Sequence, residues 1–225
     1  VYERFHAGFL ELYQKLGLTY DLFTSTHTEN HFDVSQKMFL ALKDNGFLYS
    51  AREMQWYAPS QGRFLPDRYV EGTCYICGYN NARSDQCDKC GNLLEPDKLI
   101  DPRSKIDGSV PELRETEHYY LDLSKLQPEV VDFLEKRQSY WRPNVLRQSL
   151  GQIQADSLRG RPITRDLDWG IPVPLEGWGG KCLYVWFEAV IGYLSASIEW
   201  GKVTGDPEAW RQWWHNPAAR AYYFI

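Results

Sequence analysis

Cys74-Tyr75-Ile76-Cys77 and Cys87-Asp88-Lys89-Cys90 are two Cys-x2-Cys hooks with nine residues between them. No other stretch limits the folding of this chain so tightly. The thiolates of one hook can take one edge of a tetrahedron around a metal ion, and those of the second hook the opposite edge. Gly78 and Gly91 follow the hooks, and glycine lets the backbone turn closely around the sulfurs. Four thiolates with no open position suit Zn2+ in a closed, structural site. The predicted ligands are therefore Cys74, Cys77, Cys87 and Cys90. Two disulfides or four ordinary thiols are the weaker readings. The fifth cysteine, Cys182, lies far off in an apolar run, and no signal-peptide pattern precedes the hooks.

Iron is the main competitor for the ion, because Cys-Tyr-Ile-Cys-Gly-Tyr looks like a rubredoxin hook, although that family separates its hooks by far more residues. The hooks leave most of the 225 residues unexplained, so they must be an insertion in something larger or an appendage to it. A hydrophobic content of 43% and an aromatic content of 15% are ample for a core. The net charge of −5 argues against a domain that coats nucleic acid, so any nucleic-acid contact should be local. No apolar run approaches the ~18 residues of a membrane span. Reduced metal-binding cysteines without a signal sequence point to the cytoplasm. The chain begins at Val1, inside a helical pattern, and stops at Tyr222-Tyr223-Phe224-Ile225, which reads as a strand. It is expected to be an internal piece of a longer protein.

Val1, Phe5, Phe9, Leu12 and Leu16 recur at helical spacing, with Gly17 as a stop. Leu18 to His31 reads as a connection. His27 and His31, four apart, could share a face and hold metal, but such histidines more often cap or pack. Asp33 with Gln36 has the arrangement of a capping box, Val34, Met38, Ala41 and Leu42 form the buried stripe, and Gly46 ends the helix. Strand-like sequence runs from Phe47 to Tyr57, and Pro59 to Gly62 is a turn. Glu95 to Pro111 reads as loop with short strands, and His118 to Leu123 alternates as a strand does. Leu126 to Leu134 is a short helix. Pro143 opens another, with Leu146, Leu150, Ile153 and Ser157 on one face and Gly160 closing it. A short strand is expected over Trp169 to Val173. Cys182 to Phe187 reads as a buried strand of a parallel sheet that passes into a helix over Glu188 to Ile198. Loop and polar helix are expected from Trp200 to Ala221. Module boundaries fall near residues 46 and 160.

Four segments carry a family. The run from Phe64 to Cys74 with the hooks that follow resembles the connective insertion of methionyl-tRNA synthetases, and so does Glu117 to Leu123. Thr164-Arg165-Asp166-Leu167-Asp168-Trp169-Gly170-Ile171-Pro172-Val173-Pro174 is similar to a stretch shared by the class I synthetases for methionine and the branched aliphatic amino acids. Tyr184-Val185-Trp186-Phe187-Glu188-Ala189-Val190-Ile191-Gly192-Tyr193 looks like the family's methionine-pocket segment. An insertion of about 115 residues is too short for the editing domain of the isoleucine, valine and leucine enzymes.

The resemblance implies an α/β fold, a class I Rossmann-like nucleotide-binding domain interrupted by a zinc-knuckle insertion. Residues 1–45 would end its first half, 46–160 would be the insertion, and 161–225 would begin the second half. It implies an enzyme that activates methionine with ATP and Mg2+ and transfers it to tRNA(Met), with no membrane partner. Trp186, Ala189 and Tyr193 would line the pocket for the methionine side chain, and Arg165 would pair an acidic residue elsewhere in the enzyme. A thioether favours aromatic contact, and a small residue at 189 leaves room for an unbranched chain. The bland alternative is that the three are core residues and Arg165 is a solvated arginine. Val190 stands where many members have proline, which should loosen the local turn. The His-Ile-Gly-His and Lys-Met-Ser-Lys-Ser motifs, with which the family binds the ATP phosphates, are absent from these residues. The piece alone is expected to be inactive. The rival function is a stand-alone zinc-binding interaction or nucleic-acid-binding module without catalysis.

Overall fold

The computed structural model describes residues 2–155 and 157–220. It forms two compact units, one of Val1–Ala41 with Val185–Ile225, the other of Leu42–Tyr184. Every strand pairing among the described residues is antiparallel.

The 42–184 unit is built on a long pairing of β1 (Leu48–Ala58) with β6 (Glu112–Leu121), from Leu48 opposite Leu121 to Tyr57 opposite Glu112. Cross-strand neighbours fix this register. Tyr49 stacks on Tyr120 at 5.3 Å between ring centroids, and Arg52 reaches Glu115 at 3.1 Å. β2 (Arg63–Phe64) and β7 (Arg161–Pro162) flank the pair in a sheet of order β2-β1-β6-β7. A second sheet places β3 (Val70–Thr73) between β4 (Ala82–Arg83) and β5 (Ile100–Ser104), and a third pairs β8 (Thr164–Asp166) with β9 (Lys181–Leu183). The core lies between the long pair and the cysteine hooks. Trp56, Ala58, Leu65, Val70, Leu94 and Leu99 pack there with Cys74 and Cys87. The unit also holds the end of α2 (Glu29–Asp44) and two whole helices, α3 (Leu123–Glu135), with Leu134 buried, and α4 (Pro143–Ala155), with Leu146 buried and Pro143 at its first position.

The other unit holds α1 (Tyr2–Lys15), most of α2 (Glu29–Asp44), α5 (Val185–Val203) and the single turn α6 (Arg211–Trp214). α1 buries none of its described residues, and Phe5, Phe9 and Leu12 are all exposed. Its expected stop is present: Gly17 N–H reaches Gln14 C=O and Leu18 N–H reaches Tyr13 C=O. Gly46 ends α2 in the same way, at φ 75°. This double bond closes a helix only when the residue after it takes a left-handed backbone, which glycine does without strain.

Several expectations need correction. α2 starts at Glu29, four residues before Asp33, because Thr28 Oγ1 accepts the N–H of His31 at 3.1 Å and caps the helix there. Asp33 instead pairs with Lys37 one turn on. The buried stripe is His31, Val34, Ser35 and Phe39, and Ala41 is exposed. The long strand expected over 182–187 ends at Leu183, and α5 begins at Val185. An unbroken apolar run has no period with which to tell strand from helix. No strand spans Trp169 to Val173, where Pro172 lacks a donor and sits in an isolated bridge to Cys182. α4 ends at Ala155, so Ser157 and Gly160 lie beyond it. The strand expected over 222–225, and Val1 of the first stripe, lie outside the described residues.

Candidate functional site

The two hooks fold alike. Cys74 C=O accepts from Gly78 N–H at 2.9 Å, and Cys87 C=O accepts from Gly91 N–H at 2.8 Å. Cys74 N–H donates to Tyr79 C=O, and Cys87 N–H donates to Asn92 C=O, at 2.8 and 2.9 Å. Gly78 and Gly91 both sit at φ 73°. These turns carry the four ligand atoms to within 4.8 Å of one another, with Cys77 Sγ and Cys87 Sγ 3.7 Å apart. A tetrahedron with Zn–S bonds of about 2.3 Å has S–S edges of about 3.8 Å. The donor set therefore fits a tetrahedral, thiolate-binding ion.

Charge agrees with that fit. Asn92, through side chain and backbone, pulls the Cys90 thiol down to about 6. At Cys77 a backbone hydrogen bond at Tyr79 acts downward, but lost solvation and the neighbouring Cys87, Cys74 and Cys90 outweigh it and push the thiol up to about 12. Four crowded sulfurs resist ionising together. A bound cation removes that conflict, since a coordinating thiol is deprotonated outright.

Trp186, Ala189 and Tyr193 fall three and four positions apart on α5 and so share one stripe. None of them is buried; Trp186 is 76% exposed and Tyr193 46%. Two positions on, about 200° round the helix, Glu188, Ile191 and Ser195 form the anchored face. There His31, fully buried, holds α5 at two levels. Its Nδ1 lies 2.8 Å from Ser195 Oγ and its Nε2 2.8 Å from Glu188 Oε2. Ser195 donates its own hydroxyl to Gly192 C=O at 3.1 Å, so its oxygen is left to accept from His31 Nδ1. Asn30 Nδ2 adds a bond to Ser195 C=O at 2.8 Å. His31 thus packs and anchors. The sequence signal for this was its place in the buried stripe of α2, one turn before Val34 and Ser35.

Arg165 belongs to the other unit, on β8. Its guanidinium donates to Thr164 C=O at 2.9 Å and lies 4.0 Å from the centroid of the Tyr184 ring. Beside it, sequence reasoning missed a buried polar group. Asp166 meets Thr116 Oγ1 at 2.8 Å, Lys181 Nζ, and His118 Nε2 at 3.1 Å, while His118 Nδ1 meets Thr164 Oγ1 at 3.0 Å. Burial alone would raise the Asp166 carboxyl, but His118, Lys181 and Thr116 hold it down at about 2. A carboxyl lowered in the folded state contributes stability that is complete above its unfolded pKa. As pH falls from about 4 to about 2, roughly 2 kcal/mol of that contribution should disappear. Replacing Asp166 with Asn should flatten the denaturant midpoint of the unit over this range, which acid titration of both forms will show. An unchanged slope would exclude the ion pair as its source.

No helix among the described residues is long and apolar enough to cross a membrane. The family described as tRNA synthetases class I (M) matches residues 1–225, and the chain belongs to that family of class I aminoacyl-tRNA synthetases. The member it resembles is the methionine enzyme. The methionine-tRNA ligase of Thermomicrobium roseum is 53% identical over 225 residues, covering 100% of this chain and 38% of that protein. The methionine-tRNA ligase of Thermobifida fusca is 55% identical over 226 residues, covering 99% of this chain and 37% of that protein. The chain thus spans well under half the length of these relatives. A solved structure of Mycobacterium tuberculosis methionyl-tRNA synthetase bound by methionyl-adenylate shares the fold, with a TM-score of 0.53 at 18% identity, covering 84% of this chain and 32% of that one.

Proposed function

We propose that the chain is part of a methionine-tRNA ligase, and that the whole protein activates methionine with Mg2+-bound ATP and passes it to tRNA(Met) in the cytoplasm. The observation that carries this reading is the match of all 225 residues to the family, with relatives above 50% identity that bear that name. On this reading, residues 1–45 and 161–225 belong to the two halves of the nucleotide-binding domain, and 46–160 are the insertion between them. Cys74, Cys77, Cys87 and Cys90 would hold a structural Zn2+, whose chemistry is to fold the insertion rather than to touch substrate. Trp186, Ala189 and Tyr193 would meet the methionine side chain. Their common stripe, exposed while the opposite face of α5 is anchored, supports a ligand-facing role over a core one. Tyr193 offers a hydroxyl to the thioether sulfur, a weak acceptor, and Arg165 would pair an acidic residue elsewhere in the enzyme. A bare zinc-binding module would leave the α5 stripe without a role.

Positioning and charge stabilisation are all that carboxylate attack on the α-phosphorus demands of such a site. The test is methionine-dependent exchange of pyrophosphate into ATP by the whole protein. Trp186→Ala should weaken methionine binding by about 2 kcal/mol, roughly thirtyfold, from lost apolar and sulfur–aromatic contact, and raise its KM accordingly. The 225-residue piece alone should give no exchange, since it lacks both ATP-phosphate motifs. A whole protein that exchanges with another amino acid but not with methionine would overturn the reading.

A further inference from the structure

Arg165 is half-buried on β8, and among the described residues it makes no ion pair. Its guanidinium lies over the Tyr184 ring and donates to Thr164 C=O. A long cation with no charged partner has many rotamers open to it. Its aim therefore depends on how firmly the strand beneath it is held.

The hold comes from one side chain. Residues alternate across a strand, so Thr164 and Asp166, the two chain neighbours of Arg165, both face away from it. The ring of His118 on β6, fully buried, meets both of them. Its Nδ1 lies 3.0 Å from Thr164 Oγ1. Its Nε2 lies 3.1 Å from Asp166 Oδ2, an ion-pair contact rather than an aligned hydrogen bond. Glu53 Oε1 of β1 stands further off, 3.9 Å from the same nitrogen, and its carboxylate is engaged by the Tyr120 hydroxyl. The residue after His118 strengthens the link between the strands. Tyr119 N–H donates to Thr164 Oγ1 at 3.1 Å, and Tyr119 C=O accepts from Ile163 N–H at 2.7 Å. Lys181, opposite Asp166 in the β8–β9 register, holds the second carboxylate oxygen. Tyr184 N–H donates to Ile163 C=O at 2.8 Å, which ties the ring under Arg165 to the same segment.

One imidazole thus grips the residue on each side of Arg165, from the opposite face of β8. We propose that His118 is a positioning residue for Arg165, keeping the guanidinium aimed for the acidic group it would pair elsewhere in the enzyme. That part of Arg165, and its service to methionine binding, rest on the function proposed above. A cation aimed in advance loses less freedom when its partner arrives, and supporting residues of this kind set the precision of a site without touching substrate.

The experiment uses the whole protein. His118→Phe keeps a ring in the space but can make neither contact, and it should raise the KM for methionine in pyrophosphate exchange about tenfold, as small misplacements of a binding group do, with kcat changed less than about twofold. His118→Gln has two N–H donors for the same two oxygens and should restore most of the loss. In an Arg165→Ala background His118→Phe should add almost nothing, because two residues that act as one are not additive. Amide hydrogen exchange over residues 161–167 reads the clamp by itself: it should be faster in His118→Phe and close to native in His118→Gln. If His118→Phe does not fold, Thr164→Val, which removes one of the two contacts and little volume, takes its place in both measurements. An unchanged KM, or the full rise in KM persisting without Arg165, would overturn the proposal, and so would unchanged amide exchange over β8. Where Arg165→Ala leaves too little activity to fit a KM, amide exchange and the glutamine rescue decide. If the unaltered protein shows no methionine-dependent activity, the functional reading fails, while amide exchange still tests the hold of His118 on β8.

Discussion

Replacing Cys74 with serine should cost the protein its bound metal and most of the order in residues 70–104. The apparent binding free energy of a structural zinc ion at pH 7 is on the order of 10 kcal/mol, comparable to the entire stability of a typical domain. Serine supplies no thiolate, and at a position only 1% exposed it adds a hydroxyl that must find a partner. Cys74 also packs with Trp56, Leu65 and Val70, so the loss should spread from the knuckle to the lower end of the β1–β6 pair. Metal content by mass spectrometry and amide hydrogen exchange will read this together. Expected are less than one ion per chain and fast exchange over β3, β4 and β5. Full metal content with unchanged exchange would show that the ion does not hold the unit together. Visible absorption of the loaded protein separates iron from zinc in the same sample, because only a ferric thiolate site is coloured.

His31→Ala should be the most costly single change in the other unit. It removes the two bonds that hold α5 at Glu188 and Ser195, and it leaves the Glu188 carboxylate, 14% exposed, facing the vacated space. Leaving a buried hydrogen-bond partner unmatched costs about 1–3 kcal/mol, and more when that partner is charged. Denaturant unfolding of the 225-residue chain should show a loss of that size. Adding Glu188→Gln should restore part of it, because the stranded charge is then gone. A loss below about 0.5 kcal/mol, the level of an ordinary surface change, would mean that His31 only fills space. In the whole protein, His31→Ala should also raise the KM for methionine, since the stripe of Trp186, Ala189 and Tyr193 lies on the helix that His31 holds.

What could be read from the sequence was whatever chemistry fixes by local spacing. The hooks announce themselves because each Cys-x2-Cys pair can offer two thiols to one ion whatever fold surrounds it. Gly17 and Gly46 mark helix ends because a left-handed residue must stand there. The start of α2 misled: Asp33 with Gln36 matches a cap, yet Thr28 holds the N–H that decides the matter. The junction of β9 and α5 was illegible because Cys182 to Phe187 is apolar throughout and carries neither period. The His31–Glu188–Ser195 group was beyond reach for a different reason. His31 lies more than 150 positions from both Glu188 and Ser195, and no local pattern records a partner so distant. Asp166 with His118 and Thr164 was hidden in the same way.

The four sulfurs also differ in their access to water. Cys74 and Cys87, the first of each hook, are buried, while Cys77 is exposed and Cys90 partly so. Each hook thus contributes one sulfur to a dry edge and one to a wet edge of the tetrahedron. A competing chelator has to begin at the wet edge, opening both hooks at their second sulfurs while the first two stay in the core. On the zinc reading, transfer of the ion to a chelator would begin at Cys77 and Cys90, with Cys74 and Cys87 the last sulfurs to let go.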